Sequence, residues 1–169
     1  MTRPTPDRPH MPGYGVDTPE WHALPWAWAA ERLAGTRNYW VVTVSAGGQP
    51  HSLPVWGVWH DDSLRFMFSC AHSSKKAHNI SANALVTFTN DDSIECVSVQ
   101  GVAALVVDPE AVDRWVDRYI AKYGKEVGPE LGDFVRQNAI FEVAPSVAFS
   151  VIERADEFST RATRWRFGS

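Results

Sequence analysis

The chain has 169 residues, enough for one domain around one core. Its 16 Lys and Arg are outnumbered by 20 Asp and Glu, a formal net charge of −4. That argues against a partner held by bulk positive field, nucleic acid above all, so any bound anion needs a local cluster. No apolar run reaches the about 18 residues of a spanning helix, so no membrane span is predicted.

Residues 1–20, "MTRPTPDRPHMPGYGVDTPE", are rich in Pro and Gly and lack the apolar stretch of a signal peptide. They read as an extended or mobile segment ahead of a domain over 21–169. "LPWAWAAERLAG" (24–35) predicts a short helix, with Pro25 in its first turn and Gly35 as its cap. "NYWVVTVSA" (38–46) is β-branched and aromatic, and "GGQP" breaks it. "HSLPVWGVWHDD" resumes as a strand interrupted by Pro54 and Gly57, which signals an edge, a bulge or a close backbone approach. "LRFMFSC" (64–70) is the next strand, and residues 73–82 predict one or two helical turns. "ALVTFTN" (84–90) and "IECVSVQGVAALVVD" (94–108) are strands, with Gly101 marking a bulge or bend in the second.

The period then changes. Val112, Trp115, Val116, Tyr119, Ile120 and Tyr123 recur at helical spacing, so a helix is predicted from Pro109 to a stop at Gly124. "GKEVGPELGD" reads as a polar loop. Residues 139–153 give a strand pair or one bent strand, and "TRWRF" (163–167) a short last strand. The expectation is a mainly β fold (β plus α), an antiparallel barrel or sandwich of six or seven strands with a few helices. No G-x-G-x-x-G follows a strand and no G-x-x-x-x-G-K-[ST] is present, so nucleotide folds of those kinds are poor readings.

Cys70 and Cys96 follow neither metal nor disulfide spacing. They read as buried free thiols, which suits a reducing cytoplasm. His10, His22, His51, His60, His72 and His78 show no metal-ligand spacing, so no metal is assigned. A nucleophile elbow and H-E-x-x-H are both absent, and the catalytic residues stay unassigned. His51 is a candidate for substrate contact or an ordinary hairpin histidine. Eight tryptophans suggest aromatic walls or a large interface beside the core.

The chemistry concentrates in "SSKKAHN" (73–79). Hydroxyls, helix-start N–H groups and ammonium groups within one turn are what a phosphate needs. Lysines in a first helical turn oppose the helix dipole, and a bound anion would reverse that penalty. An ordinary serine cap with solvated lysines remains the alternative.

Several elements occur together in one order: Gly48-Gln49-Pro50, Pro54-Val55-Trp56, Asp61-Asp62, Leu64-Arg65-Phe66, Ser74-Lys75-Lys76 with Asn79-Ile80, and Asn83-Ala84-Leu85-Val86. As a set they resemble the split β-barrels of the pyridoxamine 5′-phosphate oxidase superfamily, in the branch that binds flavins or the deazaflavin coenzyme F-420. The set departs from the family pattern at Lys75 and His78, where arginine is frequent, and at Ala84, where proline is. The resemblance implies a homodimer with the cofactor in a groove between subunits. It places Ser74, Lys75 and Lys76 on the cofactor phosphate, with Ser73 and Asn79 in support. Ser52, Pro54, Val55 and Trp56 would lie along the ring, with Phe68 and Ser69 completing the wall. Trp165 would contact the cofactor or its tail across the subunit boundary, or else sit in a plain terminal strand. Arg161, Arg164 and Arg166, with Arg3 and Arg8, are candidates for the acidic tail of F-420. The implied function is a hydride-transferring F-420 oxidoreductase acting on a small conjugated acceptor. FMN as cofactor, or storage of F-420 without turnover, are the alternatives.

Overall fold

The computed structural model describes residues 2–168. Met1 and Ser169, the outermost positions of the expected segments, lie outside the described residues. The strands are β1 (Thr5–Asp7), β2 (Asn38–Val44), β3 (Pro50–His60), β4 (Arg65–Cys70), β5 (Leu85–Thr89), β6 (Glu95–Leu105), β7 (Ala139–Ile152) and β8 (Thr163–Arg166). The helices are α1 (Trp26–Gly35), α2 (Lys75–Ala82), α3 (Pro109–Val127), α4 (Leu131–Arg136) and α5 (Phe158–Arg161), with a 3₁₀ turn at Pro12–Tyr14. All pairings are antiparallel, in the order β1-β8-β7-β4-β3-β2-β5-β6, and β6 returns to pair with β7. Six strands therefore close a barrel, and β8 and β1 extend it as a flap. The mainly β antiparallel barrel expected from the sequence is the fold observed.

Alternation builds the barrel. In β2, Tyr39, Val41 and Thr43 point inward and are fully buried, while Trp40 and Val42 point out. Phe66, Phe68, Phe88, Val97 and Val99 fill the interior with Tyr39 and Val41. Phe66 and Phe88 stack at 4.1 Å between centroids. α1 closes one end with Trp26, Ala29 and Leu33, and Trp26 meets Trp165 edge-on at 5.6 Å. A second core lies outside the wall, where Val58 and Met67 pack against Trp115, Val116, Tyr119 and Tyr123 of α3.

Gly101 is the bulge the sequence predicts. The β6–β7 register shifts between Gln100 and Gly101, and a Cβ there would lie 2.5 Å from the Ala144 carbonyl oxygen. Residues 139–152 form one long strand rather than a pair. Its first half shares an edge with β4, and its second half shares that edge with β8.

Two expectations change. α3 passes Gly124 and ends at Val127, because the left-handed residue that stops it is Gly128, at φ 114°. The "loop" beyond it contains α4, whose Leu131 and Val135 are buried in the second core. Six residues, one of them glycine, are too few to show a helical period. The N-terminal segment is extended and docked: β1 pairs with β8, Val16 is fully buried, and Asp7 accepts hydrogen bonds from Arg164 and Arg166 at 2.6 and 3.0 Å.

Candidate functional site

β3 has two halves with different neighbours. Residues 50–56 pair with β2 alone, whereas Gly57–His60 pair with Phe68–Arg65 of β4. Beyond Phe68, β4 carries on beside β7, with Ser69 opposite Ile140 and Cys70 opposite Ala139. The two strands part at Gly57, and the preceding stretch of β3 keeps one edge with no strand against it.

Gly57 permits that parting. A Cβ on it would meet the Phe66 ring at 2.5 Å and the Met67 carbonyl oxygen at 2.7 Å. Its own carbonyl accepts from the Tyr123 hydroxyl at 2.7 Å and from Lys122 Nζ at 3.0 Å. Lys122 also donates to the Tyr39 hydroxyl at 2.9 Å, and burial holds its amine down to about 8.

α2 begins beside this split because it follows β4 directly. Ser74 is its N-cap, accepting from the Ala77 N–H at 3.2 Å. The first turn carries no acidic residue. Lys75 is exposed and Lys76 half-buried, and neither has a carboxylate within ion-pairing distance among the described residues. Burial pushes the Lys76 amine below its ordinary value, while Cys70 acts in the other direction. His51, Leu53, Ser74, Lys75 and Lys76 line a cleft of about 130 Å³.

Asn79 is buried, and its Nδ2 donates to the Thr43 hydroxyl at 2.9 Å. This bond ties α2 to the inner face of β2, so Asn79 holds the helix in place and is turned away from solvent. Thr43 itself gave no signal in the sequence beyond being polar at an inward strand position.

The predicted residues separate into groups. Ser74, Lys75 and Lys76 converge on the cleft, and Ser73 is exposed one residue before the cap. Along β3 the strand period divides the expected ring contacts. His51, Leu53 and Val55 share the face that meets α2, while Ser52, Pro54 and Trp56 take the other. Trp56 is half-buried and stacks on Tyr123 at 5.1 Å and 11°. Leu53, not singled out in the sequence, is the apolar side chain in the cleft. Ser69 is half-buried at the start of the split.

Burial corrects the expectation for Phe68 and favours the terminal-strand alternative for Trp165. Phe68 has no exposed surface and belongs to the barrel core, so it forms no ligand wall. Trp165 is equally buried, against Trp26, and is a core residue of its own chain. Four of the five arginines proposed for an acidic tail are engaged elsewhere, and Arg161 keeps its buried Nε without a hydrogen-bond partner among the described residues. Arg164 and Arg166 bind Asp7, Arg3 pairs with Asp61, and Arg8 lies over the Trp21 ring. β8 pairs with β7 at residues 147–150, whereas the α2 end of β4 lies opposite Ala139. At the rise of an antiparallel strand, this separates Arg166 and Arg164 from the α2 end of β4 by roughly 27 and 34 Å along β7.

An antiparallel six-stranded barrel whose β3 and β4 part beside a basic helix start is a split β-barrel. The chain belongs to the pyridoxamine 5′-phosphate oxidase family, whose pattern matches residues 27–152. Among solved structures it is similar to a conserved hypothetical protein of Mycobacterium tuberculosis, at 19% identity over 88% of both chains with a TM-score of 0.65. It is also similar to HutZ of Vibrio cholerae, described as a heme storage protein, at 19% identity over 70% of this chain and 87% of that one, TM-score 0.55. An F-420 reductase matches at 21% identity over 70% and 94%, TM-score 0.52. These identities establish the shared fold. No curated protein matches the sequence significantly. No helix among the described residues is long and apolar enough to cross a membrane.

Proposed function

We propose that this protein is an oxidoreductase that binds a phosphorylated flavin-type cofactor, coenzyme F-420, at the split between β3 and β4. One observation carries the reading: Lys75 and Lys76, with no acidic partner among the described residues, stand at a serine-capped helix start facing a strand edge that no other described strand covers. Two cations and free N–H groups suit a phosphate. The open edge of β3 offers backbone groups to the polar rim of a flat ring. When bound in reduced form, such a coenzyme supplies a hydride to a conjugated acceptor such as a quinone, an enone or a tetrapyrrole. This chain's part is to hold the phosphate with Ser74, Lys75 and Lys76, to seat the stalk against His51 and Leu53, and to keep water from one face of the ring.

Lys75 and Lys76 can meet either the nearly dianionic terminal phosphate of FMN or the phosphodiester and anionic extension of F-420. The similarity to an F-420 reductase favours F-420. The likeness to HutZ keeps storage without turnover as the second reading, since that title describes a storage protein on the same fold.

A cleft of about 130 Å³ seats a phosphate and its stalk, but small-molecule sites are usually about 300 Å³ or larger. The rings need a further wall. The outward face of the β3-β2-β5-β6 sheet carries Trp40 and Leu85, 43% and 63% exposed, with Pro54 and Val102 beside them. A second copy covering that face would complete the groove, so the proposed active form is a homodimer.

Titration with F-420 and with FMN, followed by quenching of tryptophan fluorescence, tests the cofactor. A clear preference for FMN overturns F-420. Reduced F-420 mixed with quinones, enones and biliverdin is expected to reoxidise faster with the protein than in buffer. No acceleration across that panel leaves storage as the function.

A further inference from the structure

α2 has a second flank, and a larger hollow lies against it. The hollow, about 330 Å³, is walled by Ile80 of α2 and floored by Ala103, Ala139 and Phe141 of β6 and β7, with His72, His78 and Ser81 also lining it. It shares no lining residue with the lysine cleft. Its size is that of a one- or two-ring molecule, and its floor is apolar.

Two of its three polar side chains, His78 and Ser81, have their protons fixed, and the third, His72, is exposed. His78 Nδ1 lies 2.9 Å from the Ser74 carbonyl oxygen. A carbonyl can only accept, so in the neutral ring Nδ1 carries the hydrogen and Nε2 keeps the lone pair. Ser81 donates its hydroxyl proton to the His78 carbonyl at 2.8 Å, leaving its oxygen with acceptor capacity alone. Both groups therefore offer acceptors. A hydroxyl or N–H on an aromatic ring can donate to either of them, whereas a ligand with only acceptors, or an anion, leaves both to water.

We propose that this hollow is a second small-molecule site, selective for aromatic molecules that carry a hydroxyl donor, a phenol or naphthol in class. It stands independently of the cofactor reading, because none of its residues holds the proposed phosphate.

The probe is 2-naphthol, compared with 2-methoxynaphthalene, which has the same rings and no donor, in amide-resolved NMR titrations of the full chain at neutral pH. Saturable shifts are expected at residues 77–81, 103 and 139–141. The naphthol should bind about tenfold more tightly than the ether, the effect of one matched hydrogen bond. Ser81→Ala and His78→Leu alter exposed positions and keep the fold. Each should weaken naphthol binding about three- to tenfold and leave the ether unchanged. Equal affinity for the two probes, variants that affect both equally, or shifts confined to β3 or to the outer sheet face would each overturn the site. Dilution-dependent shifts at these same residues, showing that a second copy fills the hollow, would overturn it too.

Discussion

At the scale of single residues, the site depends on charges left without partners. Lys76 is half-buried with no carboxylate beside it, an arrangement that costs the free protein and favours an incoming anion. Lys76→Ala should weaken cofactor binding at least tenfold, a charge-assisted bond being worth about 1.5–3 kcal/mol, and leave the urea midpoint nearly unchanged. An unaltered dissociation constant would remove Lys76 from the phosphate site. Lys122 has the opposite consequence, because its amine is committed to Tyr39 and Gly57 within the fold.

Lys122 also sets a pH dependence. Its folded value of about 8 lies below the ordinary 10.5, so between these values the unfolded chain binds more protons. Stability must then rise with pH across that window. The gain is about 1 kcal/mol, less than the full shift implies because the amine stays partly solvated. Tyr123, pushed up to about 12 by burial, works in reverse. Above its ordinary value of 10 the unfolded tyrosine ionises first, and stability falls. Chemical denaturation should show a maximum near pH 10. Lys122→Met should flatten the rising limb and leave the falling one.

At the scale of elements, the geometry rests on one strand divided at a glycine and one helix tied at an asparagine. Gly57→Ala places a methyl within 2.5 Å of the Phe66 ring and 2.7 Å of a backbone oxygen. Neither wall can retreat without opening the barrel core, so a loss of about 2–4 kcal/mol is expected in urea unfolding. Asn79→Ala leaves the buried Thr43 hydroxyl without that partner, at a cost of about 1–3 kcal/mol. Amide exchange should quicken over α2 before it does in β6 or β7, since the helix is short and loses its tie to β2. Uniform change across the barrel would show that the bond does not anchor the helix.

These elements also show how far a sequence can be read. Seven of the eight strands announce themselves by β-branched and aromatic runs between turn residues, and the Gly101 bulge by a glycine inside one. β1 does not, because "TPD" has no apolar pattern and becomes a strand only by meeting β8. α4 is hidden for a similar reason: its two buried anchors gain meaning only beside α3. In the site, Ser74, Lys75 and Lys76 were legible because a basic, hydroxyl-rich helix start is locally odd. His51 and Leu53 were not equally so, since which face of β3 meets α2 depends on where β4 leaves it.

At the scale of the whole molecule, the proposed homodimer would cover the apolar outer face. Trp40→Glu with Leu85→Asp should give a monomer in sedimentation and weaken cofactor binding at the same time, by removing the second wall of the groove. Loss of the dimer with unchanged affinity would separate the two. Either substitution alone lies on an exposed strand face and should keep the barrel folded.

By itself the sequence determined the antiparallel β class, seven of the eight strands, the amphipathic helix after residue 108 and the position of the basic, hydroxyl-rich helix start at Ser74–Lys76. Each of these follows from local periodicity or from residues adjacent in the chain. The tertiary structure alone decided that β3 and β4 separate at Gly57, that Phe68 and Trp165 serve the core, that Arg164 and Arg166 bind Asp7, and that α2 has a second hollow behind it. All of these depend on contacts between residues far apart in sequence, which no local pattern encodes.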